Sequence, residues 1–167
     1  MAIKNEAKIK EPHVEDMRSA IEHRATWFYL LLDEARKKGL AWDDFARKAV
    51  FRTGCLHGES KFMKTADLRE FGKEFCNDLE RKIFEQNIVE ATEERFVVEF
   101  NYCPLVMAWM KLTDNEKDIA HLCDIAMEGD RGIISKFPEY QMDLQETIAS
   151  GGDVCRLVIT RRKEIER

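Results

Sequence analysis

Apolar residues recur at helical spacing through the first eighty positions, and then the period changes to two. Val14, Met17, Ile21, Phe28, Leu31 and Ala35 fall on one helical stripe. Pro12 suits a first helical turn, and Lys37, Lys38 and Gly39 make a basic end followed by a stop. The pattern predicts one long helix over 13–38. A second helix is expected over about 42–57, carried by Trp42, Phe45, Ala49 and Leu56. A third should start after Asp67, where Asp67 and Glu70 form a capping-box-like pair ahead of Leu68, Phe71, Phe75 and Leu79.

The stretch "NIVEATEERFVVEFNYC" then alternates β-branched and aromatic residues around a charged centre. It predicts a hairpin with strands near 87–91 and 95–102. Phe96, Val98, Phe100 and Tyr102 would share one face, and Val97, Glu99, Asn101 and Cys103 the other. Pro104 ends the ladder and can open the next helix. "TDNE", residues 113–116, is a capping box for a helix running to about Met127 and closed by Gly129. "SGGDVCRLVITRR" reads as a final strand, 153–161, entered through Gly151 and Gly152.

Helices first, a hairpin next and a late strand after further helices make an α+β pattern, with N-terminal helices packed on a small antiparallel sheet. Residues 1–167 are expected to form one domain, mainly helical over 1–82, with the hairpin, helices and final strand in 83–167.

Composition narrows the function classes. The chain is 44% apolar and 35% charged with a net charge of −5, ordinary for a globular protein. No lysine/arginine block suggests a nucleic-acid track, and "TRRKEIER" reads as a solvated end. No apolar run approaches the roughly 18–20 residues of a membrane span, and the first residues lack a signal-peptide core. The expectation is a cytoplasmic protein acting on a small molecule, with no nucleic acid or membrane as partner, no cofactor, and a homo-oligomer left open. Five cysteines, an odd number with no C-x-x-C pair, argue against a disulfide framework and a ribbon-type zinc site.

Cys103 lies on the strand-to-helix joint, where free amides would stabilise a thiolate and lower its pKa. The plainer alternative is a half-buried thiol filling a strand end. Cys123 shares an inward helical face with Ile119, Leu122 and Ala126, while His121 and Asp124 fall opposite as a surface pair. His121 and Cys123 point roughly 200° apart, so no shared metal is expected. Cys155 alternates with Leu157 and Ile159, toward the core or a pocket. Cys55 and Cys76 read as packing, and His57 as a helix-end residue. "EGDRG", residues 128–132, reads as a glycine-flanked loop, either a surface turn or a site where Arg131 binds a carboxylate and Asp130 acts as a base. No phosphate loop, G-x-S-x-G elbow or H-E-x-x-H motif is present.

Three segments in order, "YCPLVMAWMKL", "LCDIAMEGDRG" and "TIASGGDVCRLVI", resemble the L-2-amino-thiazoline-4-carboxylic acid hydrolase family. The resemblance covers residues 83–160 well and the N-terminal helices loosely. The late glycine–cysteine–strand segment is also similar to vinyl-reductase-type and vesicle-tethering-subunit domains, small α+β folds that bind apolar ligands. The family resemblance implies ring-opening hydrolysis of a small cyclic amidine-type acid to a carbamoyl-cysteine, by a Cys103 nucleophile or by water activated at a carboxylate. Its pattern falls on Cys103, Cys123, Asp124 and Cys155. Asp130 as base, and Asn101, Arg131 and Arg156 toward the substrate, are added from this chain. Cys103 ends one strand and Cys155 begins another, so Cys103 is expected within contact range of Cys155 or Cys123. The competing class is a non-catalytic binding module whose cysteines line an apolar pocket.

Overall fold

The computed structural model describes residues 3–162. Its helical half contains α1 (Pro12–Lys37), α2 (Trp42–Ser60), α3 (Leu68–Phe75) and α4 (Asp78–Ile83). The hairpin β1 (Gln86–Ala91) and β2 (Arg95–Phe100) follows, then α5 (Pro104–Met110), α6 (Glu116–Ala126) and α7 (Glu128–Ile134). The strand β3 (Tyr140–Glu146), a 3-10 turn over Ile148–Ser150 and β4 (Cys155–Arg161) complete the order. All pairings are antiparallel, and the strand order is β1-β2-β4-β3. This is an α+β fold, helices packed with a four-stranded antiparallel sheet.

Two apolar clusters hold it together. Phe96, Val98, Leu157 and Ile159 project from one sheet face onto Phe71 of α3, Ile133 and Ile134 of α7, and Phe137. The second cluster is helical, with Trp42, Trp109, Ile119, Leu122 and Ile125 at its centre. Trp42 and Trp109 satisfy their indole N–H groups on the carbonyls of Leu32 (2.7 Å) and Ala25 (3.1 Å), so both rings are buried without an orphaned donor.

The long helix is where the sequence predicts it, but its buried face is rotated. Val14, Arg18, Ala25, Tyr29 and Leu32 are buried, whereas Leu31 is 66% exposed. The cause is Arg18, whose guanidinium donates to the carbonyls of Ile83, Lys82 and Ile9 and to Glu85 Oε1. Those acceptors turn a cation into an interior residue and fix α1 against α4.

The helix α2 lies on α7 through small residues. A Cβ on Gly54 would stand 1.9 Å from the carbonyl oxygen of Gly129, and one on Gly132 would stand 2.2 Å from that of Phe51. Only glycine permits such backbone approach. The same crossing corrects the reading of "EGDRG": residues 128–132 are helical, in α7, and Gly129 stops nothing. The expected third helix breaks after Phe75, because Asn77 caps a new helix by accepting from Leu79 N–H (3.1 Å) and Glu80 N–H (3.0 Å). In α6 Asn115, not Thr113, is the N-cap, accepting from Lys117 N–H at 3.1 Å. The end of the "TRRKEIER" tail, from 163, lies outside the described residues.

Candidate functional site

Pro104 sets the first turn of α5 and makes Cys103 its N-cap. Asn5 grips this residue at both ends, donating to the Cys103 carbonyl at 2.8 Å and accepting its N–H at 2.9 Å. Burial dominates the thiol and pushes it up to about 11, while the N–H groups of Val106 and Leu105 pull the other way without prevailing. The expected lowering at the joint therefore does not occur. The helix amides are present, but desolvation of the anion outweighs them.

Cys103, Cys123 and Cys155 belong to one cluster, with Cys123 in the helical core and the other two packed against it. Burial raises the Cys123 thiol well above its ordinary value, and the nearby Cys103 and Cys155 add to the shift. Cys155 is pushed up to about 12 by burial, then by Cys103, although Ile148 N–H donates to its sulfur at 3.3 Å. All three are neutral thiols near neutral pH. Among the described residues no group of three His, Cys, Asp or Glu is arranged to hold a metal.

Asp130 differs from the other acids near these cysteines. Burial first, and the neighbouring Glu80 second, raise its carboxyl to about 6, with Arg131 opposing. It lies within electrostatic reach of Cys103, Cys123 and Cys76. The helix α7 carries it into place, because the glycine crossing with α2 fixes the backbone on both sides of it. Glu80 is raised by burial and sits near Arg24 and Lys61. His57 is lowered by burial and by the same two cations. Arg24 also reaches Cys103. These interior and rim groups come from α1, α2, α4, α5 and α7, and no local motif joins them.

The remaining sequence candidates lie apart from Asp130 or are already paired. Asp124 accepts from Arg47 at 2.6 Å and Arg131 at 3.0 Å, which hold its carboxyl low despite partial burial. His121 pairs with Asp43 at 2.7 Å rather than with Asp124, since α2 offers partners to both. Asp124 and Cys123 nonetheless line one cleft of about 530 Å³, together with Glu146, Thr147, Ser150 and Gly152. The helical wheel sets these neighbours on different faces, yet the 146–152 segment closes over the edge between them. Arg131 binds Asp124 and Glu128, Arg156 binds Glu99, and Asn101 donates to the Glu85 carbonyl at 2.9 Å. Each of these three has a structural partner.

A family model for L-2-amino-thiazoline-4-carboxylic acid hydrolase matches residues 18–159. No curated protein matches this chain. Among solved structures, the chain is similar to a trafficking protein particle complex subunit 3 from Naegleria fowleri, covalently bound to palmitic acid. The TM-score is 0.56 at 11% identity, over 87% of this chain and 97% of that one. That likeness is one of fold, and it agrees with the tethering-subunit-like topology read from the late segment. The matched span takes in α2, α4, α7 and both cysteine-bearing strand ends, and the chain belongs to the L-2-amino-thiazoline-4-carboxylic acid hydrolase family.

Proposed function

We propose that this protein is a hydrolase that opens a small cyclic amidine-type acid, of the 2-amino-thiazoline-4-carboxylate kind, to a carbamoyl-cysteine. The observation that carries this reading is the Asp130 carboxyl, held at about 6 beside the cysteine cluster. A base titrating just below neutral pH is ionised when needed and still basic enough to take a proton. Asp130 accepts a proton from water as the water oxygen bonds to the carbon between nitrogen and sulfur. The tetrahedral adduct then collapses, the carbon–sulfur bond breaks, and the sulfur leaves and is protonated. Substrate plus one water gives the carbamoyl-cysteine, so atoms balance.

Cys103 is the weaker nucleophile candidate, because a thiol pushed up to about 11 offers almost no thiolate at neutral pH. In this reading Cys103, Cys123 and Cys155 form the apolar wall that raises Asp130 by excluding water. Free thiols throughout fit a reducing compartment, consistent with a cytoplasmic enzyme. Turnover of L-2-amino-thiazoline-4-carboxylate by the purified protein, followed as release of a new thiol, tests the activity. No release by the parent protein removes it.

The fold likeness favours a second reading, a non-catalytic module whose cysteine-lined wall holds an apolar ligand, as the similar subunit holds palmitic acid. Intact-mass measurement on protein incubated with palmitoyl-CoA distinguishes the two, since a lipid-carrying module gains one acyl group and the hydrolase does not.

A further inference from the structure

A second cleft, of about 400 Å³, opens between the N-terminal segment, α4 and the first residue of β1. Ile9, Asp78, Arg81, Lys82 and Gln86 line it, and none of the five takes part in the site described above. Asp78, Arg81 and Lys82 stand three and four residues apart, so α4 presents all three on one face. Gln86 is 9% exposed, and its Oε1 is buried without a hydrogen-bond partner. Among the described residues it is the one buried side-chain nitrogen or oxygen in that condition. An acceptor withdrawn from water in this way costs the fold free energy unless a donor reaches it.

The charged groups of the cleft are unevenly committed. Lys82 donates to Glu11 at 2.8 Å. The Arg81 guanidinium and the Asp78 carboxylate, both exposed, form no hydrogen bond or ion pair with another described residue. The walls are held without a ligand. Arg18 donates to the carbonyls of Ile9, Lys82 and Ile83, and Glu85 accepts from Ile9 N–H at 2.8 Å. The cleft thus offers one free cation, one free carboxylate and one buried amide oxygen that lacks a donor.

We propose that this cleft binds a small polyhydroxy carboxylate, of the sugar-acid class, with its carboxylate on Arg81 and its hydroxyls donating to Gln86 Oε1 and Asp78. An arginine fork pairs with a carboxylate through two parallel N–H bonds. A fully ionised inorganic anion would satisfy Arg81 but bring no donor to Gln86. A neutral polyol would supply the donors and leave Arg81 without a counter-charge. The volume lies within the roughly 300–1,000 Å³ of small-molecule sites. The site stands independently of the proposed hydrolysis, with which it shares no residue.

The experiment is calorimetric titration of three probes, D-gluconate, sorbitol and hexanoate, into the parent protein, Arg81→Gln and Gln86→Met. The parent should bind gluconate about tenfold or more tightly than either the polyol or the plain acid. Arg81→Gln, at an exposed position that keeps the fold, should bring gluconate down to the level of sorbitol. Gln86→Met should weaken gluconate by about tenfold. It should also keep or raise the melting temperature of the ligand-free protein, because an apolar group of similar length replaces an acceptor without a partner. A glutamine with a merely structural role would lower that temperature. Equal binding of the three probes by the parent, or binding of none, overturns the site. So does a Gln86→Met protein that binds gluconate as the parent does or melts well below it.

Discussion

Gly54 meets Gly129 backbone to backbone, so close that a Cβ on Gly54 would stand 1.9 Å from the Gly129 carbonyl oxygen. That contact sets α2 on α7 and fixes the residue after Gly129, which is Asp130. Gly54→Ala should cost about 1–3 kcal/mol, and more if the helices cannot slide, because overpacking against backbone has no flexible atom to yield. Urea denaturation measures the cost. An alanine variant of parent stability would mean the crossing is looser than described.

Asp130→Asn should stabilise the protein at neutral pH. The carboxyl is raised from an ordinary 3.8 to about 6, so the folded state binds its proton more tightly than the unfolded chain does. The associated stability is fully present below the unfolded value and is lost as pH rises through about 6. Above that, the half-buried anion carries a penalty of up to about 3 kcal/mol, which the amide avoids. The groups that set the shift are Glu80 and Arg131, with Cys76, Cys103 and Cys123 nearby. Melting temperatures across the acid range, parent against variant, should diverge as pH rises and converge at low pH. Parallel curves would show an ordinary, solvated carboxyl.

The sequence carried the element list better than the faces. Helical spacing located α1, but hydropathy alone assigns Leu31 inward and cannot foresee Arg18, which is 4% exposed only because three carbonyls and Glu85 receive it. In α2 the inward residues include Gly54 and Gly58, which leave no apolar signal, while Leu56 points to solvent. β3 leaves little signal in the sequence, because "YQMDLQE" alternates with polar partners and carries two acids. Cys103 and Asp130 were legible from a strand-to-helix joint and an acid flanked by glycines. Arg24, His57, Lys61 and Glu80 were not, because their relation exists only where separate helices meet.

Thiol chemistry should be quiet. Cys76, Cys103 and Cys155 are pushed up to about 12, 11 and 12 by burial, and burial also holds the Cys123 thiol well above its ordinary value. Alkylation of these four at neutral pH should be slower than that of a free thiol by about a hundredfold, and the Cys103 rate should climb with pH toward its raised value. Peptide mapping after a timed maleimide pulse reports each site. Rapid labelling of Cys103 at neutral pH would restore the thiolate nucleophile.

Arg18→Met should destabilise the fold strongly. Its side chain is 5% exposed against 7% for Glu85, and its removal leaves the Glu85 carboxylate with the N–H groups of Lys8 and Ile9 but no cation, and takes the guanidinium donor from three carbonyls. A loss of about 3–5 kcal/mol is expected, visible in urea midpoints. Arg18→Met combined with Glu85→Gln should recover part of it, whereas a double variant no better than the single would place the cost in the carbonyls alone.

The central claim is that Asp130, not Cys103, moves the proton in ring opening, and turnover of L-2-amino-thiazoline-4-carboxylate by the parent, Asp130→Asn and Cys103→Ser proteins tests it most directly. The parent rate should rise with pH along a limb centred near 6, where the carboxyl ionises. Asp130→Asn should lose about a hundredfold or more at neutral pH and lose the limb, while Cys103→Ser keeps most of the parent rate. Abolition by Cys103→Ser, with Asp130→Asn near the parent rate, would contradict the account.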